Sequence, residues 1–190
     1  MTSGAHGRRI LVAGIGNIFF GDDAFGVEVV NRLASRDLPA GVIVSDFGIR
    51  GFDLAFALLD GYDAAILVDA TPRGGEPGTL YVIEPDLAAS PTMGQLQVET
   101  HNLDPVKVLR LARSFGGPLP PRIVVAGCEP ATLGTEDEGQ LGLSDPIAAV
   151  IEPGVALVES LIARLLADQE VTGSIAIMTK TPSLIACSAP

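Results

Sequence analysis

Ile10-Leu11-Val12-Ala13-Gly14-Ile15-Gly16-Asn17, followed by Gly21-Asp22-Asp23-Ala24-Phe25-Gly26-Val27, decides the fold. The run Ile10 to Gly14 is strand-length and wholly apolar, with no polar alternation. A strand of that kind is buried on both faces, which is the habit of parallel sheets. The glycine turn leads to Asp22-Asp23, residues suited to capping a helix, and then to Phe25, Val29 and Leu33 four apart, with Val30 and Ala34 beside them. A buried strand running straight into an amphipathic helix is the first half of a βαβ unit.

The rest of the chain repeats the alternation. Val42–Val44 (ending at Ser45-Asp46), Ala64–Val68 (ending at Asp69), Thr79–Ile83 and Ile123–Gly127 (ending at Cys128-Glu129) read as four more strands. Helices are expected over Phe52–Leu59 and over Pro105–Ser114, where proline at the first turn gives up no hydrogen bond. A fourth is expected from Asp145-Pro146 to about Ala167, kinked or divided at Pro153-Gly154. Only Pro72–Gly78 joins the third strand to the fourth, too short for a covering helix, so the fourth is expected to be antiparallel or a hairpin partner. Asp86–Thr100 lacks periodicity and reads as loop, and there is no internal repeat. The expected fold is α/β: a single-domain three-layer α/β/α sandwich over residues 9–168, with a mostly parallel twisted sheet of about five strands. Residues 1–8 and 169–190 read as flexible or loosely docked tails.

Composition sets limits on function. The 190 residues are 47% hydrophobic and only 18% charged, which rules out a disordered chain. With 12 Lys+Arg against 23 Asp+Glu, the net charge of −11 would repel both phosphate backbones and acidic membranes. Neither nucleic acid nor membrane is an expected partner, and no apolar run approaches a membrane span. Cys128 and Cys187 are too few for a disulfide scaffold and point to a reducing compartment. With no signal-like segment behind Arg8-Arg9, a cytoplasmic protein is expected; a monomer is expected as well. Between Arg122 and Arg164 there is no basic residue but seven acids, from Glu129 to Glu159, which reads either as a negative field on one side of the protein or as an ordinary solvated face.

In open α/β sheets ligands bind beyond the carboxyl ends of the strands. There the sequence places Asp22 and Asp23, Asp46, Asp69, Glu129, and His101 in the loop before the third helix. Carboxylates with an imidazole and no thiolate cluster suit Zn²⁺, Ni²⁺, Mn²⁺ or Fe²⁺. The ordinary alternatives are turn and cap aspartates and a solvated histidine. Gly14-Ile15-Gly16 suggests dinucleotide binding, but Phe19 stands where a third glycine is required, and Asp22 and Asp23 would face the phosphates. There is no Walker lysine and no Gly-x-Ser-x-Gly elbow. Cys128 meeting His101 would make a thiol hydrolase, against the plainer reading of Cys128 as a small buried hydrophobe.

The opening stretch resembles that of the hydrogenase maturation endopeptidases, which process the large subunit of nickel–iron hydrogenases. The resemblance runs in order from Arg9 to Ala167: Asp46 with Gly48 and Gly51, Ile66–Ala70, Pro77-Gly78-Thr79, Thr100–Leu103, Gly127–Pro130 and Gly142-Leu143-Ser144. It implies a metal site made by Asp23, Asp69 and His101, with Asp46 as a further functional acid in a catalytic role. Where the family commonly carries threonine in the turn after that acid, this chain has Ile49.

The implied activity is a metal-dependent, aspartyl-type endopeptidase. It would remove a C-terminal extension from a hydrogenase large-subunit precursor, recognising nickel that the precursor itself supplies. The rival readings are a non-catalytic nickel-binding or chaperone module on the same fold, or another metal- or thiol-dependent hydrolase.

Overall fold

The apolar opening run becomes an interior strand of the sheet in a computed structural model, which describes residues 7–85, 104–134 and 139–168. Strand β1 (Ile10–Ile15) is buried at all six positions. It lies between β2 (Val42–Gly48) and β3 (Ala64–Ala70), parallel to both. Beyond β3 comes β5 (Arg122–Cys128), also parallel, and the edge is β4 (Leu80–Ile83), antiparallel to β5. The sheet order is therefore β2-β1-β3-β5-β4.

Side-chain alternation sends each strand's residues to two separate cores. Ile10, Val12, Ile66, Val68 and Val124 pack against helices α1 (Phe25–Leu33) and α5 (Ile151–Leu166). Leu11, Ala13, Ala65, Leu67 and Val125 pack against α2 (Gly51–Ala57) and α3 (Pro105–Ser114). The result is the three-layer α/β/α sandwich, and near-continuous apolarity is what burial on both faces requires.

Three local expectations change. Strand β4 is antiparallel but is no hairpin partner of β3: β5 lies between them. The connection after β3 crosses the carboxyl end of β5, with the Thr71 N–H donating to the Cys128 carbonyl at 2.7 Å and the Gly78 N–H to the Glu129 carbonyl at 2.9 Å. Neither Asp22 nor Asp23 caps α1; both lie in a single 3₁₀ turn, Asp22–Ala24, that runs into it, and Asp22 turns inward. The last helical region is two helices, α4 (Asp145–Ala148) and α5, but the break falls before Pro153. Pro153 is the third residue of α5, where the N–H has no helical partner to lose. The expected loop at Asp86–Thr100 and the tail after residue 168 lie outside the described residues. At the other boundary, the Arg8 guanidinium donates to the Leu165 carbonyl at 2.7 Å and pairs with Asp168 at 2.9 Å. Among the described residues, no helix is long and apolar enough to cross a membrane.

Helix α1 meets the sheet without room for a side chain at Gly26. A β-carbon there would stand 2.1 Å from the Val68 carbonyl oxygen and 2.3 Å from that of Ile15, and both are backbone. Gly26→Ala must therefore push the helix off the sheet, at a cost of at least ~1–3 kcal/mol. A thermal melt should show a drop of about 2–4 °C per kcal/mol; an unshifted midpoint would mean that the helix moves freely.

Candidate active site

Strands β1 and β3 are neighbours whose connections leave in opposite directions, β1 towards β2 and β3 towards β5 and β4. That is a topological switch point, where the loops part and open a crevice at the carboxyl edge. Asp23 follows β1 and Asp69 is the penultimate residue of β3, so the two flank this crevice.

Asp69 is 5% exposed. Its carboxyl pKa is raised well above the ordinary value, first by burial, then by the negative charges of Asp23 and Asp104, against one favourable hydrogen bond from the Ala70 amide. Asp23 is half-buried, and burial raises its pKa too, opposed by the Asn17 N–H, which donates to Oδ2 at 2.6 Å. That contact depends on glycine at position 16, where φ is +131° and a β-carbon would lie 1.8 Å from the Asp23 carbonyl oxygen. Among the described residues no lysine or arginine pairs with either carboxylate.

The structure thus couples Asp23 and Asp69, two of the expected site residues. Asp46 stands near the end of β2, opposite Gly14 in register, and is not among the charges acting on Asp69. Its carbonyl accepts from the Arg50 guanidinium, and its Oδ1 faces the bare α-carbon of Gly48. His101 lies outside the described residues, among which no three His, Cys, Asp or Glu side chains converge as an ion site. Asp104 was not anticipated. It caps α3 by accepting the Lys107 N–H at 2.8 Å, and its signal was the Asp-Pro step at a helix start.

Two other rim acids are fasteners. Asp22, fully buried, accepts from the Ala131 and Thr132 amides at 2.9 Å each, and from Ser144 through its amide at 2.7 Å and its hydroxyl at 2.9 Å. Glu129, 4% exposed, accepts from the amides of Arg73 and Gly74 at 2.9–3.0 Å and from the Tyr81 hydroxyl at 2.7 Å. Burial raises its pKa, but the Tyr81 hydroxyl and the amides of Arg73, Gly75 and Gly74 outweigh that and lower it overall. The expected negative face is correspondingly thinned: Glu129 is internal, and Glu152 pairs with Arg36 at 2.6 Å and with Arg32 at 3.7 Å.

Cys128 is buried in the core on the α1/α5 side, whereas Asp69 has the opposite strand parity. Burial first, then the charges of Asp22 and Glu129, push its thiol up to about 12. At neutral pH that leaves roughly one thiolate in 10⁵, which argues against a nucleophile and for the plain packing role. Around the rim, Ile18, Phe19, Ile49 and Phe52 are large apolar side chains, each about half exposed.

Comparisons with known proteins place the chain in a family. The family model for HycI, hydrogenase maturation protease, matches residues 27–161. A hydrogenase expression/formation protein, HupM, of Azotobacter chroococcum is 36% identical over 82% of this chain and 72% of its own length. The hydrogenase 2 maturation protease of Escherichia coli is 32% identical over 77% of this chain and 86% of its own. Among solved structures, the hydrogenase maturating endopeptidase HybD from E. coli superposes with a TM-score of 0.65 at 29% identity, covering 83% of this chain and 93% of that one. A family model over most of the chain and relatives above 30% identity define the class: a hydrolase acting on peptide bonds. The chain belongs to the hydrogenase maturation proteases.

Because Asp69 holds its proton more tightly folded than unfolded, its ionisation subtracts from stability. The loss begins above the unfolded value of ~3.9, grows until the raised folded value is passed, and is constant beyond it. Asp69→Asn, melted in chelator, should therefore be more stable than the parent at pH 7. Its advantage should shrink towards pH 4 and vanish below. A variant less stable at pH 7 would show that the carboxylate is compensated. Cys128 in the folded protein should resist iodoacetamide, read by intact mass, and Cys128→Ala should keep full activity.

Proposed function

We propose that this protease removes a C-terminal extension from a nickel–iron hydrogenase large-subunit precursor that already carries nickel, and that Asp23, Asp69 and His101 recognise that nickel. The supporting observation is the Asp23/Asp69 pair: two coupled carboxylates at the switch point, one of them buried, each with a raised pKa and no basic partner among the described residues. An incoming cation relieves both their burial and their repulsion. Two carboxylates and an imidazole suit Ni²⁺, and three protein ligands leave positions for groups already on the precursor's metal.

On this reading the nickel is cargo, delivered and kept by the substrate. It gives the enzyme a way to reject unfinished precursor, because without the cation the carboxylate pair repels itself. The Asn17 amide orients Asp23 and the Ala70 amide orients Asp69, so both present a fixed lone pair to the metal. Asp46, one strand further out, is offered as the group that takes a proton from the attacking water or orients it. The exposed apolar rim of Ile18, Phe19, Ile49 and Phe52 is the surface against which the precursor would lie.

Incubation with nickel-loaded precursor and intact-mass measurement tests the reading. The parent should release a C-terminal peptide, and His101→Ala and Asp23→Asn should slow release at least ~100-fold. Undiminished processing by His101→Ala would overturn the ligand set. Tight binding with unchanged precursor mass would favour the non-catalytic nickel-binding module instead. Asp46→Asn should lower kcat by about 10²–10⁴ if it is the base. Ile49→Thr should change KM with little change in kcat, since it alters only the docking surface; an equal loss in kcat would place Ile49 against the reacting groups.

A further inference from the structure

Asp22 and Glu129 are buried carboxylates with no part in the chemistry proposed above, yet both act on a single segment. Glu129 begins that segment and holds Arg73 and Gly74 on the connection just after Asp69, and Tyr81 on β4. Two residues later, the amides of Ala131 and Thr132 are held by Asp22, the residue before Asp23. The backbone reinforces the span: the Glu129 N–H donates to the Thr79 carbonyl at 2.8 Å, and the Thr71 N–H to that of Cys128 at 2.7 Å. The Ser144 amide donates to the other oxygen of Asp22, Oδ1, and its hydroxyl to Oδ2.

We infer that Asp22 and Glu129 are positioning residues which, through the segment from Glu129 to Thr132, fix the separation of Asp23 and Asp69. This rests on the reading that those two are the working pair. Like charges drift apart when their supports allow it, and Asp23 stands on a single 3₁₀ turn with little stiffness of its own. Carboxylates that accept several donors make strong, directional ties. Two such ties, one behind each working carboxylate and joined by a four-residue link, form a brace across the crevice. The brace holds the pair at a spacing set before any metal arrives, so binding a cation requires little rearrangement.

Ser144→Ala and Tyr81→Phe each remove one bond from one end of the brace and leave the carboxylate, the core and the working pair intact. The amide resonances of Asn17 and Ala70 report the Asp23 and Asp69 carboxylates directly, and they can be read without substrate. Each variant should shift both resonances, because the ends are linked. Each should also lower kcat for nickel-loaded precursor by about tenfold, with KM within about twofold. The double variant should lose less than the product of the singles, because both act through one segment. A lower melting temperature with both amides and kcat unchanged would overturn the inference and leave Asp22 and Glu129 as ordinary fold contacts. If the parent protein cleaves no precursor but the amides shift as expected, the brace stands and the peptidase reading falls.

Discussion

The first turn of α1 rests on two carbonyl oxygens of the sheet, those of Ile15 and Val68, and a hydrogen at position 26 is all that the space admits. This contact fixes how far the chain can travel between β1 and its helix. The segment from Gly16 to Ala24 must rise over the sheet edge and return within nine residues. It does so by folding back on itself: the α-carbon of Gly16 lies against the Asp23 carbonyl, and the Asn17 amide closes on the Asp23 side chain. The acid is thereby set above the β1/β3 boundary. The helix that covers one face of the sheet and the carboxylate that guards the crevice are consequences of the same close approach.

Much of this was legible because it is local or periodic. The continuous apolarity of Ile10–Gly14 and Ala64–Val68 predicts strands buried on both faces, and proline at a first turn predicts the start of α3 at Pro105. What escaped was decided by contacts distant in sequence. No pattern within Pro72–Gly78 says that the chain passes over β5 before pairing; the partner amides and carbonyls belong to residues 128 and 129. Asp22 and Asp23 look alike as cap residues. Their roles separate only because amides from residues 131, 132 and 144 converge on the first. The coupling of Asp69 to Asp23 and Asp104 is likewise a fact of three dimensions, although the strand-end position of Asp69 marked it as a rim residue.

Asp22, Glu129 and Asp69 then show one chemistry put to two uses. All three are carboxylates of low exposure at the same edge. Asp22 and Glu129 each collect four hydrogen bonds, and a buried carboxylate so supplied is a stable structural part. Among the described residues Asp69 has one backbone donor and faces two further negative charges. Among the described residues, then, Asp22 and Glu129 are surrounded by donors and Asp69 is not. Sites of this kind sit where a ligand completes what the chain leaves open.

The same comparison explains why the unsatisfied acid needs satisfied ones beside it. A lone buried carboxylate with like charges near it can lower its energy by taking up a proton, by drawing in water or by moving away. Burial among core strands blocks the second route. The bonds made by Asp22 and Glu129 oppose the third, since Asp23 cannot retreat without breaking into the segment from Glu129 to Thr132. Only the proton remains, and a cation competes with it directly. A carboxylate pair held in this way is sensitive to what carries positive charge into the crevice. The rim around it supplies apolar contact through Ile18, Phe19, Ile49 and Phe52. On the proposed reading such a surface would hold a protein partner by shape and apolar area and leave the test of its metal content to the two acids at the centre.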